Sequence, residues 1–170
     1  MCYKIQIGEN VIRRYKDKVN FELEEMEVKP TMQTLVISYP GRIEFSKQRF
    51  GLMKQSLIIN ARLETLQERF SFKHLERCII PASTFFEKDF SGMEHEFFQE
   101  SILFLAGLKN EEEFVIITTK PNASMKEIHD RMPFVLSKKM ADAWLLGKDI
   151  STYVPEAVYS KEENEQISLF

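Results

Sequence analysis

The residue with the most distinctive chemistry in this sequence is a cysteine at position 2. Once Met1 is removed, Cys2 carries a free α-amine and a thiol on the same residue. The amine adds to an aldehyde and loses water to give an imine, and the neighbouring thiol then closes a five-membered thiazolidine ring. An interior cysteine has no such amine. In model peptides the amine titrates near ~8 and the thiol near ~8.5, so both are partly deprotonated around neutrality. The thiolate is also a nucleophile in its own right, more so where a positive charge lowers its pKa. A chance cysteine after the initiator is the competing reading, and Cys2 alone does not separate the two.

Three further side chains could serve such chemistry. Glu87 ends the run Thr84-Phe85-Phe86-Glu87, where two aromatics could partly desolvate a carboxyl and fit it for general acid/base work; an exposed glutamate at a strand end is the plainer reading. His129, in Ile128-His129-Asp130-Arg131-Met132-Pro133, could shuttle protons near neutral pH or simply sit on the surface. Asn60, in Ile59-Asn60-Ala61-Arg62, could hold a substrate through its amide or form a turn. His74, His95 and Cys78 do not have the spacing of metal ligands, so no metal site is assigned, and Cys78 reads as core. There is no P-loop or Gly-rich dinucleotide fingerprint, and no cofactor is implied. Arg13, Arg14, Lys54, Arg62, Arg69, Lys73, Arg77, Lys88 and Arg131 would form an anion channel if gathered beside Cys2, and a solvated surface if spread evenly.

The elements that must position these groups read as mainly strands. Residues 3–7 alternate as a strand, 10–27 carry the charges of a helix, and 31–39 are apolar and β-branched before the Pro40-Gly41 turn. Ile43 and Phe45 begin another strand, and a helical segment is expected near 60–65. Residues 78–81, 84–87, 101–108 and 114–119 read as strands whose continuous apolar runs imply burial on both faces. Two helices are expected to follow, one over 125–132 capped by Asn122 or Ser124, and one over 141–146 capped by Ser137 and stopped by Gly147. Residues 160–170 read as an acidic, mobile tail. The pattern is that of one α+β domain over 2–159, built on a large sheet or partial barrel flanked by helices.

Composition bounds the function. A length of 170 residues, with 44% hydrophobic and 29% charged residues, suits one globular domain. A net charge of −3 excludes a globally basic nucleic-acid binder but leaves room for a local basic patch. No apolar run reaches the ~18–20 residues of a membrane span. Two cysteines exclude a disulfide scaffold. With no secretory signal in the first residues, the expectation is a cytoplasmic, monomeric protein with reduced thiols.

Taken in order, the motifs resemble those of the SRAP domain, the SOS-response-associated peptidase family that shields abasic DNA. The matching blocks are Met1-Cys2, Phe50-Gly51-Leu52, Ile59-Asn60-Ala61-Arg62-Leu63-Glu64-Thr65, Arg77-Cys78-Ile79-Ile80-Pro81-Ala82 with Phe85-Phe86-Glu87, Leu105-Ala106-Gly107-Leu108, Thr118-Thr119, Ile128-His129-Asp130-Arg131-Met132-Pro133 and Asp142-Ala143-Trp144-Leu145. They run from Cys2 to about Leu146. The resemblance implies a β-barrel-like core with a positively charged DNA cleft. It also implies that Cys2 crosslinks to the ring-opened sugar aldehyde of an abasic site in single-stranded DNA or at a single-strand/double-strand junction. Asn60 would then position the sugar or the amine, Glu87 act as general acid/base, and His129 assist ring opening. Arg62, Arg77 and Arg131 would hold phosphates, with Lys4 and Phe50 also at the DNA. This chain departs from the family at Tyr3 and Lys4, where Gly-Arg is usual, at Phe50 and Lys88, where tryptophan is usual, and in the short 53–59 segment. The expected activity is a thiol-dependent crosslinker with possible lyase-like β-elimination. The alternatives are an N-terminal nucleophile peptidase or amidase, and a DNA- or protein-binding module without catalysis.

Overall fold

A computed structural model describes residues 1–161 of the chain. Among the described residues thirteen strands and two α-helices follow one another in chain order. They are β1 (Lys4–Ile7), α1 (Glu9–Tyr15), β2 (Met26–Val28), β3 (Gln33–Ser38), β4 (Glu44–Phe50), β5 (Leu52–Met53), β6 (Leu57–Ile58), β7 (Asn60–Arg62), β8 (Glu76–Lys88), β9 (Glu94–Lys109), β10 (Glu113–Thr119), β11 (Met132–Pro133), β12 (Val135–Leu136), α2 (Lys138–Leu145) and β13 (Tyr159–Ser160). The fold is α+β and dominated by sheet, as the sequence implies. No helix among the described residues is long and apolar enough to cross a membrane.

The strand pairings close on themselves. β8 pairs with β9, β9 with β10, β10 with β4, β4 with β3, and β3 again with β8. This ring makes the barrel. Every residue of β10 is buried, which accounts for its unbroken apolar run: β4 and β7 flank it in parallel, β9 and β11 in antiparallel. Where β8 and β9 cross, Gly107 is required by close approach. A Cβ built on it would lie 2.4 Å from Ile80 Cδ1, 2.8 Å from the Val115 carbonyl oxygen and 3.0 Å from Cys78 Sγ. α2 closes one side of the barrel. Its Ser137 cap accepts a hydrogen bond from the Met140 amide at 3.2 Å, and its buried Trp144 donates Nε1–H to the Cys78 carbonyl at 3.0 Å.

Several expected elements differ. The strands expected over 78–81 and 84–87 are one strand, β8, and the one expected over 101–108 is the second half of β9. The helix expected over 10–27 ends at Tyr15. Beyond it Val19, Phe21 and Leu23 are apolar at every second residue, a period that suits extended chain, and all three pack on the core. The helical segment expected near 60–65 is a strand followed by one 3₁₀ turn, Leu63–Thr65. The helix expected over 125–132 is a run of turns. There Asn122 does not cap a helix. Its Oδ1 accepts from the Ser124 amide at 3.0 Å, while its Nδ2 donates to the carbonyls of Pro155 and Glu156. Further along, His129 Nδ1 takes the Arg131 amide at 3.0 Å. Such local side-chain bonds compete with a helical ladder. Of the tail expected to be mobile, residue 160 belongs to β13 and 162–170 lie outside the described residues.

Candidate active site

Strand register brings the chain's start to Glu87. β1 runs antiparallel to β8 with Lys4 opposite Phe86 and Ile5 opposite Phe85, so the residues before Lys4 run out along the end of β8. β7 is placed by β10, Asn60 lying opposite Ile116. The turns between β10 and β11 deliver His129. Three separate pieces of barrel thus converge on Met1 and Cys2.

The Met1 ammonium donates to Glu87 Oε1 at 2.6 Å and lies 3.3 Å from His129 Nε2. His129 Nε2 is 3.9 Å from the same Glu87 oxygen. Asn60 Nδ2 donates to the Cys2 carbonyl at 3.0 Å and to that of Ile59 at 3.0 Å. Cys2 is wholly buried, and burial, helped by the negative charge of Glu87, pushes its thiol pKa up. Two acceptors here are buried and have no hydrogen-bond partner among the described residues: Glu87 Oε2 and Asn60 Oδ1. A buried polar atom without a partner is costly, so idle acceptors at one site are places for a ligand's donors. The site opens on a cleft of about 570 Å³ lined by Met1, Tyr3, Ile59, Glu87, Lys88 and His129 among others.

The structure therefore brings Cys2, Asn60, Glu87 and His129 together. The expected DNA contacts scatter. Phe50 is fully buried and stacks on Phe114, centroids 5.2 Å apart, so it has no face to offer a base and packs the barrel instead. Lys4 is buried, donating to Glu94 at 2.9 Å beside Glu27 at 3.5 Å, and sits 3.9 Å above the Phe86 ring; it ties β1 to β2 and β9. Arg77 lies 4.1 Å over the Trp144 ring and donates to the carbonyls of Trp144 and Lys148, fastening the end of α2. Arg131 forks onto both carboxylate oxygens of Glu64 at 2.9 Å and also donates to the Thr118 carbonyl at 2.8 Å. Arg62 is exposed on β7, close in sequence to Asn60. No group of three or more His, Cys, Asp or Glu among the described residues is placed to hold a metal ion.

Sequence reasoning did not single out Phe90. It sits on the same rim, 71% exposed, with its ring parallel to that of His129. The signal was an aromatic set among the turn formers Asp89, Ser91 and Gly92.

Comparison with known proteins gives the family and the fold. The SOS response associated peptidase (SRAP) family model matches residues 3–169. "Abasic site processing protein YoqW" of Bacillus subtilis is 33% identical over 153 residues, covering 72% of this chain and 66% of the relative. "Abasic site processing protein YoaM" of the same species is 32% identical over 155 residues, covering 73% and 66%. The chain thus spans just under two thirds of these relatives' length. Among solved structures, a protein from Bordetella bronchiseptica superposes with a TM-score of 0.73 at 19% identity, covering 94% of this chain and 99% of that one. A phage-related protein from the same organism gives 0.69 at 18%, covering 94% and 93%.

Proposed function

The chain belongs to the SOS response associated peptidase (SRAP) family, and from that premise we propose that it processes abasic sites in single-stranded DNA by covalent capture at Cys2. Relatives named abasic site processing proteins support the substrate class. The observation that carries the chemistry is the Met1 ammonium held 2.6 Å from a carboxylate that is 2% exposed, with an imidazole on the same nitrogen and Cys2 next in the chain.

Removal of Met1 gives Cys2 the terminal amine. Glu87, which meets the Met1 ammonium before its removal, then takes a proton from the Cys2 ammonium, and the freed amine attacks the aldehyde carbon of the ring-opened sugar. The carbinolamine loses its hydroxyl as water, protonated by Glu87 or His129, and an imine remains. The Cys2 S–H then adds across the C=N bond. Sulfur bonds carbon, the proton finishes on nitrogen, and the thiazolidine closes with no change in oxidation state. Burial keeps the thiol protonated, which suits this order, with the amine reacting first. The bond from Asn60 to the Cys2 carbonyl fixes the residue whose two ends must both react, so little rotational freedom remains to be lost. The same imine permits β-elimination of the 3′ phosphate, the lyase outcome.

The test is a single-stranded oligonucleotide with one abasic site, mixed with protein whose N-terminus mass spectrometry verifies as Cys2. The expected result is a band that survives a denaturing gel. Cys2→Ala keeps an amine, so it should lose that band yet still be trapped when borohydride reduces the imine. Retained Met1 should also abolish the stable band. Absence of any adduct from verified Cys2 protein would overturn the reading, and cleavage of a peptide without an adduct would replace it with the peptidase alternative.

A further inference from the structure

Phe90 lies at the tip of the β8–β9 hairpin, on the rim of the cleft that holds Met1, Glu87 and His129. Folding leaves it 71% exposed. Its ring plane is within 4° of the His129 imidazole, with centroids 6.2 Å apart. The turn beneath it is well tied. Asp89 Oδ1 accepts from the Ser91 amide at 2.8 Å, the Ser91 hydroxyl at 2.6 Å and the Met93 amide at 3.0 Å. Asp89 Oδ2 meets His95 Nε2 at 2.8 Å. The bonds from Ser91 and His95 hold the Asp89 carboxyl well below the usual carboxylate range. Gly92, at φ +89°, completes the turn. The turn that carries the exposed aromatic ring is thus tied, and the ring lies parallel to the site's imidazole. Lys88 is exposed on the same rim, its Nζ 5.6 Å from the Tyr3 ring, and adds a positive charge for a nucleic-acid backbone.

We propose that Phe90 is the stacking platform for the nucleobase adjacent to the abasic sugar, and that it gives the site a preference for a purine neighbour. The inference rests on the abasic-site reading above. With the sugar at Cys2 and His129, its neighbouring base comes to lie against the exposed face of Phe90, in a plane parallel to the imidazole. Aromatic stacking accepts every base, but a purine covers more of the ring than a pyrimidine. Pre-ordering of the backbone that carries the ring by the Asp89 turn lowers the entropy lost when the base docks.

Binding is measured by fluorescence anisotropy in a Cys2→Ala background, which removes covalent capture. The probe is a single-stranded oligonucleotide with one tetrahydrofuran abasic analogue flanked by adenines. Adding Phe90→Ala should raise Kd by roughly tenfold, within the range of one lost base stack, and Phe90→Trp should restore or tighten it. Thymine neighbours should bind more weakly than adenine, and neighbours that themselves lack bases should make the Phe90→Ala effect vanish. Equal binding of the two proteins to the adenine-flanked probe overturns the proposal, as does a loss that persists on base-free neighbours. The covalent reading is judged separately by the adduct of wild-type protein with a natural abasic site, so either can fail alone.

Discussion

Glu87 has one carboxylate oxygen on the terminal ammonium and the other buried with no partner among the described residues. A carboxylate so enclosed serves stability poorly, since burial penalises its charge and only half of its acceptor capacity is used. Glu87→Gln keeps the shape and removes the charge that draws a proton from the amine. Its rate of adduct formation in a single-turnover gel assay should fall by ~10²–10⁴, the usual worth of a placed acid/base. Thermal stability should stay level or rise. A variant that melts lower and crosslinks at the wild-type rate would mean that Glu87 is structural. Arg62 and Arg131 separate in the same manner. Arg62 is exposed, so if it contacts a phosphate, Arg62→Ala should lower the salt slope of DNA binding by about one. Arg131 is already engaged by Glu64 and Thr118, so Arg131→Ala should leave that slope unchanged.

At the scale of elements, Arg131 joins the turns after β10 to the 3₁₀ turn carrying Glu64. Its guanidinium, 12% exposed, holds the Glu64 carboxyl below its ordinary value, hydrogen bonding being the main cause. A depressed carboxyl contributes stability above its unfolded pKa and loses it as pH falls through the folded one. Glu64 is 39% exposed, which discounts its charge term, so Arg131→Ala should cost about 1–3 kcal/mol at pH 7, much of it from the stranded Thr118 carbonyl. The gap to wild type in urea melts should narrow below about pH 4, and a constant gap would remove Glu64 from the account. These elements also mark how far the sequence could be read. Period and β-branching disclosed β1, β3 and β10 and parts of β8 and β9, and the Ser137 cap disclosed α2. The turns over 122–131 were hidden because Asn122 and Ser124 are as suited to cap a helix as to tie a turn. What decided between them was a pair of carbonyls thirty residues away, at Pro155 and Glu156. Cys2, Asn60, Glu87 and His129 were legible as a set only through the ordered motifs, because their meeting depends on strand register. Arg77 and Lys4 look like surface cations in sequence, and only their partners reveal them as fasteners of α2 and β1.

At the scale of the whole molecule, the closed ring of strands packs one continuous core and encloses Cys78 completely. Desolvation raises its thiol pKa, as it raises that of Cys2. In the unfolded chain a thiol ionises near ~8.5. Above that pH the unfolded state has released a proton that the folded state still binds, so stability must fall as pH rises. Each such thiol contributes a slope approaching ~1.4 kcal/mol per pH unit. The single tryptophan, Trp144, is bonded to the Cys78 carbonyl and packs edge-on to Phe134, so its fluorescence follows opening of this core. Urea unfolding read by that signal should lose stability from about pH 9 upward. Cys78→Ala should be less stable at pH 7 because of the space it leaves, yet its decline above pH 9 should be shallower, so that the two curves converge. Parallel curves would show that the Cys78 thiol ionises as readily in the fold as in water, and that the barrel around it is not closed to solvent.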